Sequence, residues 1–252
     1  MTQHRTVAET GSTNADLVLL AKAGAAEGFW LRAERQTAGR GRQGRAWVSP
    51  PGNVYASTLV RLRGSDPQAA TLALVAAVAL EEAVAVFLGA SPSPVRRSAP
   101  PALSRREGEL VLKWPNDLLL DGAKLSGILL DRVDDAVIVG IGVNLAHHPD
   151  LPDRATTSLA AHGVGVDPAA FLDVLAEAFA RWVGLWRGEG IAAVRARWLE
   201  RAHPVGTALT ARLADGIVID GLFDGLDPDG ALTLRLASGE RRVIHAADVF
   251  LL

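Results

Sequence analysis

The 252-residue chain contains no cysteine. That excludes disulfide staples, Cys-ligated zinc, iron–sulfur clusters and any thiol nucleophile. It also suits a reducing compartment, and a cytoplasmic location is the expectation. Charge of one sign is lacking too: 26 Lys and Arg against 28 Asp and Glu leave a net charge of −2. No global field therefore draws the protein to nucleic acid or acidic lipid, and neither DNA nor a membrane is an expected partner. Long hydrophobic runs are missing. The longest, from Pro67 to Leu80, stops at Glu81-Glu82, short of the roughly 20 residues that span a bilayer, and reads as a buried helix. The polar stretch Met1 to Glu9 has no apolar core of the kind a secretory signal needs. Lysine is scarce, with Lys22, Lys113 and Lys124 standing against 23 arginines. Codon bias accounts for most of that skew. Two of the three nevertheless fall in one short segment, where a compact ammonium serves differently from a planar fork.

What is present is ample core material, 49% hydrophobic residues, enough for one large domain or a large and a small one. Thr13-Asn14-Ala15-Asp16 matches an [ST]-x-x-[DE] helix start, with Leu17, Leu20, Ala21 and Gly24 following on one face. Phe29–Glu34 alternates like a half-buried strand, and Asn53–Leu62 reads as another with Val54, Ala56, Thr58 and Val60 on one side. Residues 68–88 predict a long apolar helix, and 89–108, rich in Pro, Ser and Arg, a surface insertion. Apolar runs recur at Leu110–Leu112, Leu118–Leu120, Ser126–Leu130 and Ala136–Val143, the last two joined by a turn at Asp131–Asp135. Asp167-Pro168 starts a helix carrying Phe171, Leu175, Phe179, Trp182 and Trp186, and Ile191–Arg201 is a second. From Val205 the texture changes to short strands broken by Asp-Gly and Ser-Gly turns, predicting a separate small β-barrel. The expected division is 1–203 and 204–252.

Gly39-Arg40-Gly41-Arg42-Gln43-Gly44 is a literal G-x-G-x-x-G behind a strand. A dinucleotide site also needs a helix opening at the last glycine, and Arg45-Ala46-Trp47-Val48-Ser49-Pro50-Pro51 cannot supply one. Two readings remain. One is a solvated basic turn. The other is a flap whose glycines let the backbone approach an anionic ligand while guanidiniums offer forked donors, with Trp47 as its flat hydrophobe. Further along, Lys113-Trp114-Pro115-Asn116-Asp117 ends one apolar strand and Lys124 begins another. That cluster of lysines, amide and carboxylate suits magnesium and phosphate chemistry. Asn144 ends the apolar run Ile138–Val143, either as a turn residue or as a further polar contact.

Five blocks in order, Glu9–Asn14, Gln36–Trp47, Lys113–Asp117, Lys124–Leu129 and Gly140–Asn144, resemble the biotin protein ligases (biotin–[acetyl-CoA-carboxylase] ligases) of the single-function bacterial type. The resemblance implies an α+β fold, with a mixed, largely antiparallel catalytic sheet of the class II synthetase-like biotin/lipoate ligase type and a C-terminal SH3-like β-barrel. With only about eight residues ahead of the first block, no N-terminal DNA-binding domain is expected. The implied chemistry joins biotin to ATP, giving biotinyl-5′-AMP, and passes biotin to a lysine of a biotin carboxyl carrier domain. Carried over residue by residue, Ser12, Thr13, Asn14, Gln36, Gly39, Arg40, Gly41, Arg42, Lys124 and Gly127 fall to biotin. Arg40, Arg42, Trp47, Lys113, Asn116, Asp117 and Asn144 fall to ATP. Lys124 and Arg42 are the implied catalytic groups, and Asp117 the carboxylate for Mg2+. A lipoate–protein ligase and a non-catalytic ligand-responsive module stand as alternatives, and a homodimer is left open.

Overall fold

The computed structural model describes residues 4–89 and 108–252. The interior of the stretch 89–108, read above as an insertion, lies outside the described residues. Seven strands form the first sheet: β1 (His4–Thr10), β2 (Trp30–Gln36), β3 (Val54–Arg61), β4 (Leu110–Lys113), β5 (Asp117–Leu120), β6 (Ala123–Val133) and β7 (Ala136–Val143), in the order β1-β2-β3-β7-β6-β5-β4. Only β1 and β2 run parallel; the other neighbours are antiparallel. With four α-helices among the described residues, α1 (Thr13–Lys22), α2 (Leu72–Phe87), α3 (Pro168–Glu189) and α4 (Ile191–Glu200), the architecture is α+β around a mixed sheet, as expected.

Both faces of this sheet are covered, and the two-residue period of a strand divides its side chains between them. Leu59 and Ile138 meet Leu17 and Ala21 of α1 in one apolar cluster. Val54, Ala56, Val60, Val139 and Ile141 belong to a second, larger cluster with α2, α3 and α4. For this reason β3 is buried on both sides rather than on the one side its alternation implied. The helix of residues 69–87 has the length and apolarity of a membrane span, but about 67% of its most apolar window is buried in this core.

Four details differ from the sequence reading. The N-cap of α1 is Ser12, not Thr13. Asp16 accepts a 2.5 Å hydrogen bond from the Thr10 hydroxyl rather than closing a capping box, and Gly24 lies beyond the helix end. The β6–β7 hairpin is tighter than expected, with Asp131 inside β6 and Asp134 turning at φ 51°. Two strands carried no legible signal: β1 is an edge strand with most residues exposed, and β12 (Asp248–Leu251) is four residues long.

The second sheet combines β12 with β8 (Ala208–Arg212), β9 (Val218–Leu226), β10 (Leu232–Arg235) and β11 (Arg241–Ile244), in the antiparallel order β11-β10-β9-β8-β12. Its inward side chains, including Phe223, Leu232, Leu234 and Val249, join the same cluster as α2–α4. Trp198 meets Phe223 edge-on at 6.5 Å, and the Trp114 indole donates to the Gly230 carbonyl at 3.1 Å.

Candidate active site

A cavity of about 250 Å³ opens where the ends of β2, β5, β6 and β7 face the 40–48 loop and β12. Every site residue singled out in the sequence lines it except Gly39. Gly39 is needed for another reason: a Cβ there would lie 2.5 Å from the Trp47 carbonyl oxygen. The strand before it and the loop it belongs to are thereby pressed backbone to backbone.

The 40–48 loop is a small hairpin. Arg40 and Ala46 form an antiparallel bridge, Gly41 donates to Arg45 at 2.7 Å, and a single 3-10 turn covers Arg42–Gly44. Gln43 and Gly44 both take left-handed φ, 56° and 72°. No helix opens at the last glycine, so the pyrophosphate geometry of a dinucleotide fold is absent here. Trp47 leaves this hairpin and lies across Gly127 and Gly142, which are paired on adjacent strands β6 and β7. A Cβ on Gly142 would be 2.6 Å from Trp47 Cε2, and one on Gly127 3.2 Å from Cζ3. The two glycines thus make a seat for the indole, with Gly142 the position where a side chain would strike it. The buried indole Nε1 has no hydrogen-bond partner, a donor left for an acceptor that enters the cavity.

Beside the indole, Lys124 Nζ lies 5.6 Å from its ring centroid and 2.5 Å from Asp117 Oδ1. Lys113 Nζ lies 3.9 Å from Asp117 Oδ2 and 5.8 Å from the Phe250 ring. Burial is the main effect on Lys113 and lowers the pKa of its ammonium, with Asp117 opposing and Lys124 reinforcing. The β-turn between β4 and β5 and a register shift after Leu118 bring these three side chains together. Asp117, the carboxylate implied for magnesium, has both oxygens turned to ammonium groups in this structure, Oδ1 to Lys124 and Oδ2 to Lys113.

The polar end of the cavity is a hydrogen-bond chain. Thr13 donates to Gln36 Oε1 through its backbone at 2.8 Å and approaches it with its hydroxyl at 3.1 Å. Gln36 Nε2 donates to Ser49 at 3.1 Å, which in turn donates to the Trp47 carbonyl at 2.9 Å. Ser57, fully buried in β3, sits 2.6 Å from Asn14 Oδ1 and 2.7 Å from Thr13 Oγ1. Because Asn14 Oδ1 only accepts, the Ser57 hydroxyl donates to it and accepts from Thr13. Asn14 Nδ2 donates to Asp131 at 2.8 Å. Ser12 also caps α1.

Two amides expected at the nucleotide are already engaged. Asn116 Nδ2 donates to the Ile128 carbonyl at 2.6 Å, while its Oδ1 accepts from Arg42 at 3.2 Å. Asn144 Nδ2 donates to the Thr157 carbonyl at 3.0 Å, holding the 155–157 segment along Lys124. Arg40 is exposed at the rim. Sequence reasoning missed Ser57, Tyr55, Arg154, Asp248 and Phe250. Of these all but Ser57 line the cavity. A hydroxyl inside the apolar run of β3 was the one local clue. Tyr55 donates to the Pro50 carbonyl at 2.7 Å, and burial pushes its phenol up to about 12.

The model of the biotin/lipoate A/B protein ligase family matches residues 12–145, and that of the biotin protein ligase C-terminal domain matches 206–252. A biotin–[acetyl-CoA-carboxylase] ligase of Paracoccus denitrificans is 42% identical over 97% of this chain and 98% of its own. One from Mycobacterium tuberculosis is 35% identical over 96% and 86%. The biotin protein ligase from Aquifex aeolicus in complex with biotin and ATP superposes with a TM-score of 0.82 at 24% identity, over the full length of both chains. With one family model spanning more than half of the residues and a relative this similar along nearly the whole length, the chain belongs to the biotin/lipoate A/B protein ligase family.

Proposed function

We propose that this chain is a biotin–[acetyl-CoA-carboxylase] ligase: it activates biotin with ATP and transfers it to a lysine of a biotin carboxyl carrier domain. The observation that carries this reading is the convergence, in one cavity, of a neutral hydrogen-bonding end at Thr13 and Gln36 and a cationic end at Lys124, Lys113 and Arg42. A ureido ring needs donors and an acceptor at one end. A carboxylate meeting a polyphosphate needs positive charge at the other.

In the first step an oxygen of the biotin carboxylate bonds to the α-phosphorus of ATP, and the α–β bridging P–O bond breaks to release pyrophosphate. Both reactants are anions, so Lys124 and Arg42 offset their repulsion, an effect typically worth on the order of 10²–10³ in rate per stabilising group. Asp117 holds Lys124 in place between rounds through the 2.5 Å ion pair. We assign Arg40, Gly41 and Gly127 to the walls around biotin, and Ser12 and Asn14 to the support of its polar end. Lys113, Asn116, Asn144 and Trp47 fall on the nucleotide side. Magnesium, arriving with ATP, would find its ligands mainly among the phosphates and waters and would offset part of their charge. In the second step the carrier amine attacks the acyl carbon, the C–O bond to phosphate breaks, and AMP leaves. The hairpin with Trp47, lying over the mixed anhydride, keeps water from it.

The division into 1–203, holding biotin and ATP, and 204–252, a smaller β unit, is proposed on the same footing, as is a cytoplasmic location, where ATP and reduced surroundings meet. The test is incubation with MgATP, a carrier domain, and either biotin or lipoate, read by intact-protein mass. The expected outcome is one biotinyl adduct and no lipoyl adduct; lipoyl transfer without biotinyl transfer overturns the assignment.

A further inference from the structure

Asp248 opens β12 and lines the cavity, with a side chain 14% exposed. Nothing in the chemistry above uses it, and its sign is wrong for a site that must receive a polyphosphate. Its surroundings explain its presence. The Arg45 guanidinium pairs with Asp248 Oδ2. Arg42 Nη1 lies 3.9 Å from Asp248 Oδ1, and Arg42 Nη2 donates to the adjoining Ala247 carbonyl at 3.2 Å. The other arm of Arg42 donates to Asn116 at 3.2 Å. One guanidinium therefore clasps the hairpin to the β4–β5 turn and to the C-terminal sheet together, across more than 200 residues of chain. Arg42 and Arg45 repel each other, while Asp248 favours the charged form of Arg42 against the effect of its burial. Without that carboxylate, two like charges would be held on one glycine-rich turn, with Arg42 left to the neutral acceptors at Asn116 and Ala247 and to the more distant Asp117, and Arg45 to Gln43.

We propose that Asp248 is a positioning residue that fastens Arg42 and Arg45 in the closed hairpin, so that covering the activated ligand depends on the C-terminal sheet. The proposal rests on the reading of 40–48 as the cover over the mixed anhydride. A salt bridge on an open rim would contribute little. Here Asp248 and Arg42 are mostly covered while the Arg45 arm is 43% exposed, and the carboxylate engages both arginines with the neighbouring carbonyl as a second anchor.

The test uses the full chain as Asp248→Asn, Asp248→Arg, Arg45→Asp and the double variant Asp248→Arg/Arg45→Asp, each checked by thermal unfolding. Hydrogen exchange of the 40–48 amides is measured without ligand. Pyrophosphate release gives kcat and KM for ATP, and the decay of preformed biotinyl-AMP is followed without carrier. Asp248→Asn is expected to speed exchange in 40–48, raise KM for ATP about tenfold and accelerate adenylate hydrolysis by a similar factor. Asp248→Arg should be worse, and the exchanged pair should recover most of the loss, because the sum of charges around Arg42 is restored. Wild-type exchange and KM in both Asp248 variants would overturn the proposal, as would a double variant no better than the worse single one. If Asp248→Arg fails to fold, the near-isosteric Asp248→Asn decides. Should the unaltered protein form no biotinyl-AMP, the functional reading fails by itself, and the exchange comparison still judges the fastening.

Discussion

At the scale of single residues, the site depends on what each atom is denied. Lys124 has one anionic partner, Asp117, and an indole on its flank. Replacing it by Ala removes the ammonium while leaving the fold, since its backbone is held by Ala155 and Thr157. The expected outcome is a loss of pyrophosphate release on the order of 10²–10³ with a near-normal melting temperature; wild-type release would remove Lys124 from the chemistry. Gly142 makes the opposite point. It is absent from the sequence-derived set because a glycine in an apolar strand reads only as a weak strand. Its worth lies in the missing Cβ, which would stand 2.6 Å from Trp47. Gly142→Val should expel the indole from its seat, so that Trp47 fluorescence shifts toward that of exposed tryptophan and adenylate hydrolysis rises. An unchanged emission maximum among the six tryptophans, checked against Trp47→Phe, would show that the seat is not needed.

At the scale of elements, legibility followed the source of each signal. Helices α2 and α3 and strands β6 and β7 were readable because their apolar period is dictated by burial within the element itself. Strand β1 was not, because it is an edge strand whose stability comes from pairing with β2 rather than from its own side chains. The N-cap of α1 was misplaced by one residue because Thr13-Asn14-Ala15-Asp16 carries the pattern and Ser12 does not, whereas in the structure the Thr13 backbone N–H is taken by Gln36, 23 positions away, and Ser12 accepts from Ala15. Glu81 shows the same blindness. In the sequence it ended an apolar run, whereas in the structure it is 1% exposed. It ties α2 to α4, with Arg197 at 2.7 Å and Arg201 at 3.2 Å. Burial outweighs those guanidiniums and pushes its carboxyl above the usual carboxylate range. Removing one member of such a cluster leaves the others buried without compensation, so Glu81→Ala should destabilise the protein by about 3 kcal/mol in urea unfolding. A midpoint within error of wild type would mean that the arginines are solvated.

At the scale of the whole molecule, the change of texture at Val205 correctly marked where a second sheet begins, yet texture is silent on how tightly two parts are joined. Asp248 was invisible for that reason: its partners lie on a loop at the other end of the chain. The joint is apolar as well as ionic. Phe223, Leu232 and Val249 share one cluster with Leu74, Val194 and Trp198, and a Cβ on Gly230 would strike Leu74 at 2.8 Å. Parts that share a core unfold together. Calorimetry should therefore show one transition for the full chain, with calorimetric and van't Hoff enthalpies in agreement, rather than an early melting of 204–252. Because biotinyl-AMP would bind between the two parts, it should move that single transition as a unit. At about a hundredfold excess over Kd the gain is roughly 2.7 kcal/mol, or about 5–10 °C for a chain of this size. Two transitions, with only the larger one shifted by ligand, would show that the C-terminal sheet is a separate body and that closing the cavity does not require it.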